Sequence, residues 1–279
     1  MDMMKTCLYF LALTTVILVG AVSIMMFSFQ KERGKIIELT VSGGFWARIE
    51  RFEYYANGSV VFSDLARNMK NSTLIPRPLL DELTDRMSLL LKAYPDGLKL
   101  EPRSGADYFI YNLSIYSNGR TVTYYWTDIS EEPPKELAYL ISLLRGLNSL
   151  TSGYWEIMFY LKTDKLVVNK GETLKIVPKA MNPTQKNFSY ASPTPCSPDF
   201  KVYLQTPDNE MVELFPADQD SEKPCIQVVQ TRILTPGNMI HLEYEHVFEK
   251  SGIYVIEACF PYAEWSETRY VCTLKISVP

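Results

Sequence analysis

Histidine is scarce in this sequence, and the motifs that announce chemistry are missing with it. The two histidines, His241 and His246, lie five residues apart in one β-prone segment. An odd offset turns them to opposite faces of a strand, so they are not placed to share a metal ion or a substrate atom. No His-Glu-x-x-His, Gly-x-Ser-x-Gly, phosphate loop or dinucleotide fingerprint occurs. Glu243 and Glu245 share a strand face and read as a solvated acidic stripe. Asp107 and Asp128 flank a hairpin and read as turn or cap residues. A hydrolase would need two acids converging across a cleft, an arrangement that spacing alone neither provides nor removes. The expectation is a non-enzymatic chain with no cofactor and no metal site.

A basic excess is also lacking. Net charge is −4, with 15 Lys+Arg against 15 Asp+Glu over 31–150 and 12 against 16 over 151–279. Neither half can neutralise a phosphate backbone, which excludes nucleic acid as the expected partner. Repeats and low-complexity segments are absent too. Apolar residues at 47% and charged residues at 22% suit folded modules.

What the chain does have begins with an uncharged apolar run, Cys7 to Phe29. As a helix it would rise about 34 Å, enough for a hydrocarbon core of about 30 Å. The reading favours an uncleaved transmembrane anchor. A cleaved signal peptide is the competing one, with Leu8 to Gly20 apolar and Ala21-Val22-Ser23 as the cleavage site. Lys31, Arg33 and Lys35 would hold the following chain in the cytoplasm, but the cysteines argue the other way. Cys196, Cys225, Cys259 and Cys272 form an even set in the last third. That predicts two disulfides, Cys196–Cys225 and Cys259–Cys272, in an oxidising compartment. Four buried thiols are the alternative. Asn-X-Ser/Thr acceptors at Asn57, Asn71, Asn112 and Asn187 point outward as well; Pro183 disqualifies Asn182. The expected localisation is a single-pass membrane protein with both C-terminal domains extracytoplasmic.

Residues 35–152 mix the two periodicities. Asn57-Gly58 and Asn118-Gly119 each separate β-prone runs and predict hairpins. Pro78 opens an amphipathic helix with Leu79, Leu83, Met87 and Leu90 on one face, stopped by Pro95-Asp96-Gly97. A second helix follows Pro133-Pro134, with Leu137, Leu140, Ile141, Leu144 and Leu147 aligned. The expected fold is an α+β domain, an antiparallel sheet of about five strands with two helices on one face. From Tyr154 the helical period ends. Eight β-rich segments separated by Gly, Pro and Asn predict an all-β immunoglobulin-like sandwich over 153–279. Residues 1–34 are set apart as the anchor or signal segment.

Two places suggest a binding surface. Ser42-Gly43-Gly44-Phe45-Trp46 follows the first strand, and paired glycines permit positive φ and close backbone approach. Phe45 and Trp46 would then project as anchors into a partner, or else the glycines make a tight connection and Phe45 fills the core. The second hairpin carries Tyr108, Tyr111, Tyr116, Tyr124, Tyr125 and Trp126. Alternation must put some of these rings outside the core, where they would serve recognition or cross-strand packing.

Residues 36–148 resemble the emfourin family, small inhibitors of thermolysin-like metallopeptidases. The likeness rests on the first strand with Ser42-Gly43-Gly44-Phe45, on Gly105-Ala106-Asp107-Tyr108-Phe109-Ile110-Tyr111, and on Trp126 to Asp128, Pro134 and Leu137 to Leu147. It implies a secreted or surface metallopeptidase as protein partner and occlusion of its cleft; the residues expected to make that contact are Gly43, Gly44, Phe45 and Trp46 beside Tyr108 and Tyr111. Residues 155–279 are similar to the intracellular proteinase inhibitor family of bacilli, through Lys170-Gly171-Glu172-Thr173, the Asn182 region, Pro236-Gly237 and Phe248 to Tyr254. Surface recognition or adhesion, or a structural envelope role, is the alternative function.

Overall fold

The computed structural model describes residues 34–44, 48–105, 107–217, 225–263, 266 and 269–279. The first strands are β1 (Lys35–Gly43), β2 (Arg48–Tyr55), β3 (Ser59–Asp64) and β4 (Met69–Leu74). Helix α1 (Arg77–Ala93), β5 (Leu98–Lys99), β6 (Phe109–Ser117), β7 (Arg120–Thr127) and helix α2 (Lys135–Ser152) follow. The strands make one sheet in the order β4-β3-β2-β1-β6-β7-β5. Asn118 and Gly119 both take positive φ between β6 and β7, as a two-residue hairpin turn requires. One face of the sheet supplies Ile37, Leu39, Phe52, Tyr54, Leu113, Ile115, Tyr124 and Trp126 to a core completed by the apolar stripes of both helices. Each leucine fully buried there contributes about 1.5–3 kcal/mol.

Ten further strands follow: β8 (Met158–Thr163), β9 (Thr173–Met181), β10 (Phe188–Ser192), β11 (Lys201–Gln205), β12 (Met211–Leu214), β13 (Gln230–Leu234), β14 (Met239–His241), β15 (Tyr244–Val247), β16 (Gly252–Phe260) and β17 (Tyr270–Val278). The sheet β12-β11-β16-β17 faces a second sheet in which β9 is flanked by β8 and by β14 and β15. Leu174 and Ile176 meet Val202, Leu204, Ile256, Leu274 and Ile276 in their shared core. The assembly is sandwich-like, with β10 and β13 as a separate two-stranded ribbon.

The expected fold class needs correction. The described chain is mostly β, seventeen strands in several sheets against two helices. Among the described residues no helix is long and apolar enough to cross a membrane; the run Cys7 to Phe29 lies outside them. An α+β layer pair followed by a separate sandwich also fails to describe how the cores are built. Helix α2 touches β3 and β4 on one side and β8 and β17 on the other. On β8, Met158 and Tyr160 point into the first core while Phe159 and Leu161 point into the second. Strand alternation lets one segment serve both cores, and a continuous apolar run results. Close approach depends on Gly146 of α2, where a Cβ would come within 2.9 Å of Met158 Cε and 3.1 Å of Phe159 O.

The second disulfide is also corrected. Cys196–Cys225 is formed, but Cys259 and Cys272 are free and buried. They do lie on neighbouring strands, yet Cys272 pairs with Ala258 and Cys259 with Val271. Directly paired residues share a face and successive residues alternate, so the two thiols sit on opposite sides of the sheet. Smaller departures have local causes. The segment from Met239 to Glu249 breaks at 242–243 into β14 and β15, both paired to β9, so the histidines occupy two strands. β4 escapes the sequence pattern because nearly all of it is exposed.

Candidate functional site

The paired glycines end β1 in backbone conformations that L-residues rarely adopt, with φ of +107° at Gly43 and +72° at Gly44. Gly44 N–H donates to Tyr108 O at 3.1 Å. A Cβ on Gly43 would stand 2.3 Å from that carbonyl oxygen, and one on Gly44 would stand 2.8 Å from the Phe109 ring. The floor beneath is itself fastened: Phe109 N–H donates to Asp128 Oδ1 at 3.0 Å. Asp128 therefore serves as a turn clasp, and Asp107 adopts a positive φ of 61° in the approach to β6. Phe45 and Trp46 lie outside the described residues.

Replacing Gly43 with alanine is expected to destabilise the protein by about 1–3 kcal/mol through φ strain and the collision with Tyr108 O. Gly119→Ala is the comparison, because that glycine shares a positive φ but has nothing within 4 Å of its would-be Cβ. Urea unfolding of the two variants separates strain from collision; equal losses would show that approach to Tyr108 is unimportant.

Tyr108 and Tyr111 are both half-buried. Tyr111 pairs with Val41 on one side and Trp126 on the other, and its ring stacks on Trp126 at 5.1 Å and 3°. Burial pushes the Tyr111 phenol above its ordinary range, partly offset by Arg145 and Arg48. The other hairpin tyrosines divide by face. Tyr124 is buried and donates to Tyr94 O at 2.9 Å. Tyr116 and Tyr125 lie on the opposite face under Lys35 and Lys99.

Beside the hairpin base run two adjoining clefts. One, about 370 Å³, lies among β7, α2 and β17, with Tyr111, Trp126, Thr127, Thr273 and Lys275 on its walls. The other, about 410 Å³, extends past Val41, Glu50 and Trp155. They share Tyr111, Ser142, Arg145 and Thr273. Sequence reasoning missed Thr127, Arg145 and Thr273. Arg145 sits on the polar side of α2 and looks like a solubilising residue, while Thr273 arrives from a strand more than a hundred residues away. No local signal marks either.

Elsewhere the predicted residues scatter. Asn57, Asn112 and Asn187 are exposed; the Asn71 side-chain nitrogen, where a glycan would attach, donates to Thr151 O at 2.8 Å. Glu243 and Glu245 flank Lys175 at 3.5 and 3.6 Å. Among the described residues no group of three His, Cys, Asp or Glu is placed to hold a metal ion.

Neither a protein-family model nor a curated protein sequence matches the chain. Among solved structures, a β-glucosidase from Listeria innocua is similar over 44% of this chain and 16% of its own, with 15% identity and a TM-score of 0.25. The CARDB domain of the PF1109 protein from Pyrococcus furiosus, solved with di-metal ions, is similar over 44% of this chain and 87% of its own, with 16% identity and a TM-score of 0.27. The chain thus spans about a sixth of the β-glucosidase, and overlaps this weak transfer neither fold nor activity.

Proposed function

We propose that the chain is a non-enzymatic, extracytoplasmic binding protein that engages a protein partner through the β1–β2 connection and the neighbouring clefts. The observation that carries this reading is the close approach of Gly43 and Gly44 to Tyr108 and Phe109, which fixes the end of β1, where the connection departs, against the start of β6. A contact surface whose root is fixed loses less conformational freedom on association, so more of its contact energy appears as affinity. The Cys196–Cys225 bridge supports an oxidising compartment. The emfourin resemblance suggests the form of the contact: the loop enters the cleft of a thermolysin-like metallopeptidase and occludes it.

Inhibition of a thermolysin-like peptidase by the unaltered protein, by Phe45→Ala and by Gly43→Ala tests this. The expected result is inhibition lost in both variants. Undiminished inhibition by Phe45→Ala removes the loop from the mechanism, and no inhibition by the unaltered protein removes the peptidase. A recognition or adhesion role is the second reading. It is favoured by Tyr111, whose packing against Trp126 makes it a wall of a groove rather than a projecting anchor.

A further inference from the structure

We infer that the cavity beside the β2–β3 turn seats the first sugar of an N-linked oligosaccharide, attached through Asn57 Nδ2. The inference rests on the extracytoplasmic part of the reading above, because only an exported chain meets the enzyme that transfers such sugars.

Asn57 is exposed in the turn, and Ser59 completes the Asn-X-Ser acceptor. The turn is fastened on both sides. Ala56 N–H donates to Gly34 O at 2.7 Å, Gly58 N–H to Tyr55 O at 2.9 Å, and Ile75 N–H to Gly58 O at 2.9 Å. Asn57 Oδ1 accepts from Ser59 N–H at 3.0 Å, which orients the side-chain amide. Its nitrogen makes no hydrogen bond among the described residues, so attachment there breaks no bond of the fold. Asn71 is the contrast, since its nitrogen ties β4 to the Thr151 carbonyl of α2. Transfer breaks the C1–O bond of a lipid-pyrophosphate-linked oligosaccharide and forms C1–Nδ2. The pyrophosphate leaves with the bonding pair, and Nδ2 gives up one proton to the transferring enzyme.

A cavity of about 660 Å³ has Asn57 in its lining, within the roughly 300–1,000 Å³ of small-molecule sites. Strand register assembles it. Ser59 pairs with Leu74 and Val61 with Ser72, so these four side chains share the sheet face turned away from the helices. Tyr55 and Val61, 8% and 7% exposed, make an apolar floor. Leu74 stands bare beside it at 66% exposure, and Ser59 and Ser72 add hydroxyls. A sugar ring has matching chemistry, with C–H groups on its faces and hydroxyls around its edge. Carried on Asn57, it would cover the Leu74 side chain that the described residues leave open.

The test uses the full chain made in secretory cells that attach N-linked glycans. Peptide mass mapping of the unaltered protein should find Asn57 occupied. A second preparation carries Asn112→Gln and Asn187→Gln, which removes the other exposed acceptors. In it, an endoglycosidase that leaves one N-acetylhexosamine should preserve the melting temperature. An amidase that takes the whole glycan and converts Asn57 to aspartate should lower it by about 2–4 °C, the size expected for one partly covered leucine in a chain this long. Leu74→Ser should abolish that difference, because the sugar then has no apolar wall to cover. Equal melting temperatures after the two enzymes, or a loss that persists in Leu74→Ser, overturns the seat. An empty Asn57 with Asn112 or Asn187 occupied also overturns it and leaves the extracytoplasmic reading standing. Four empty acceptors overturn both.

Discussion

Arg86→Met is expected to lower the unfolding free energy by about 3–5 kcal/mol, the loss typical when one partner of a buried ion pair is removed. Arg86 is fully buried at the junction of α1, α2 and β8. Its Nε donates to Glu82 Oε1 at 2.9 Å, its Nη1 to Tyr139 O at 2.7 Å and to Ser142 Oγ at 2.9 Å, and its Nη2 to Leu161 O at 2.6 Å. The guanidinium also lies 3.7 Å from the centre of the Tyr139 ring. Methionine restores the volume but removes the charged donor from Tyr139 O and Leu161 O and leaves Glu82 with Lys162 Nζ at 2.8 Å and the Tyr139 hydroxyl at 3.4 Å. Urea unfolding measures the loss, and one below about 1 kcal/mol would mean that the network is ornamental. Glu82→Gln together with Arg86→Met should recover part of the stability, because the buried charge goes with its partner.

The same network sets an acid limit. Burial pushes the Glu82 carboxyl up, but Arg86 and Lys162 outweigh it and hold the group below its ordinary 4.5. A carboxyl depressed in the folded state binds its proton more readily when unfolded. Its contribution is therefore complete above pH 4.5 and is lost as pH falls from there through the folded value. Stability of Glu82→Gln should consequently depend less on pH in that range than stability of the unaltered protein.

Opening the Cys196–Cys225 bridge is the other large effect. The cysteines are 29 residues apart, and the chain-entropy relation for a loop of that size gives about 3–4 kcal/mol. The native side needs little rearrangement when the bridge opens. Arg232 already ties the segment, donating to Asp199 Oδ1 at 2.6 Å and to Pro195 O and Ser197 O at 2.9 Å. The loss should therefore appear through the unfolded chain, as a lower denaturation midpoint in Cys225→Ser with the native spectrum retained. Alkylation mapping is the companion measurement. Cys259 and Cys272 are buried, and burial raises both thiols, so they should label only in denaturant. Unchanged stability after reduction, or native labelling of Cys272, would contradict this account.

How much of this was legible beforehand varied with the range of the interaction. The Asn118-Gly119 turn depends on backbone sterics of two residues, and any reading of those residues finds it. The stripe Leu79, Leu83, Met87 and Leu90 depends on a helical period, and it too is local. Pairing of Cys259 with Cys272 looked plausible because both fall on neighbouring strands. Register decided against it, since a one-residue offset places side chains on opposite faces. The fold class went astray for a related reason. Periodicity shows that α2 has an apolar face, but not that its remaining surface packs on β8 and β17. In the candidate site, Gly43, Gly44, Tyr108 and Tyr111 stand out by residue type. Arg145 and Thr127 matter only through what surrounds them.

The amino-acid order alone determined the turns, the helix stripes, the strand alternation and the want of catalytic motifs, because each follows from torsional preference or chemistry within a few residues. Tertiary structure alone decided which thiols bond, how β8 serves two cores, why Arg86 is buried, and that the Arg145 guanidinium stands at the meeting of two clefts. Those outcomes depend on distances between residues tens to more than a hundred positions apart, and such distances exist only after the sheets have paired and the helices have packed.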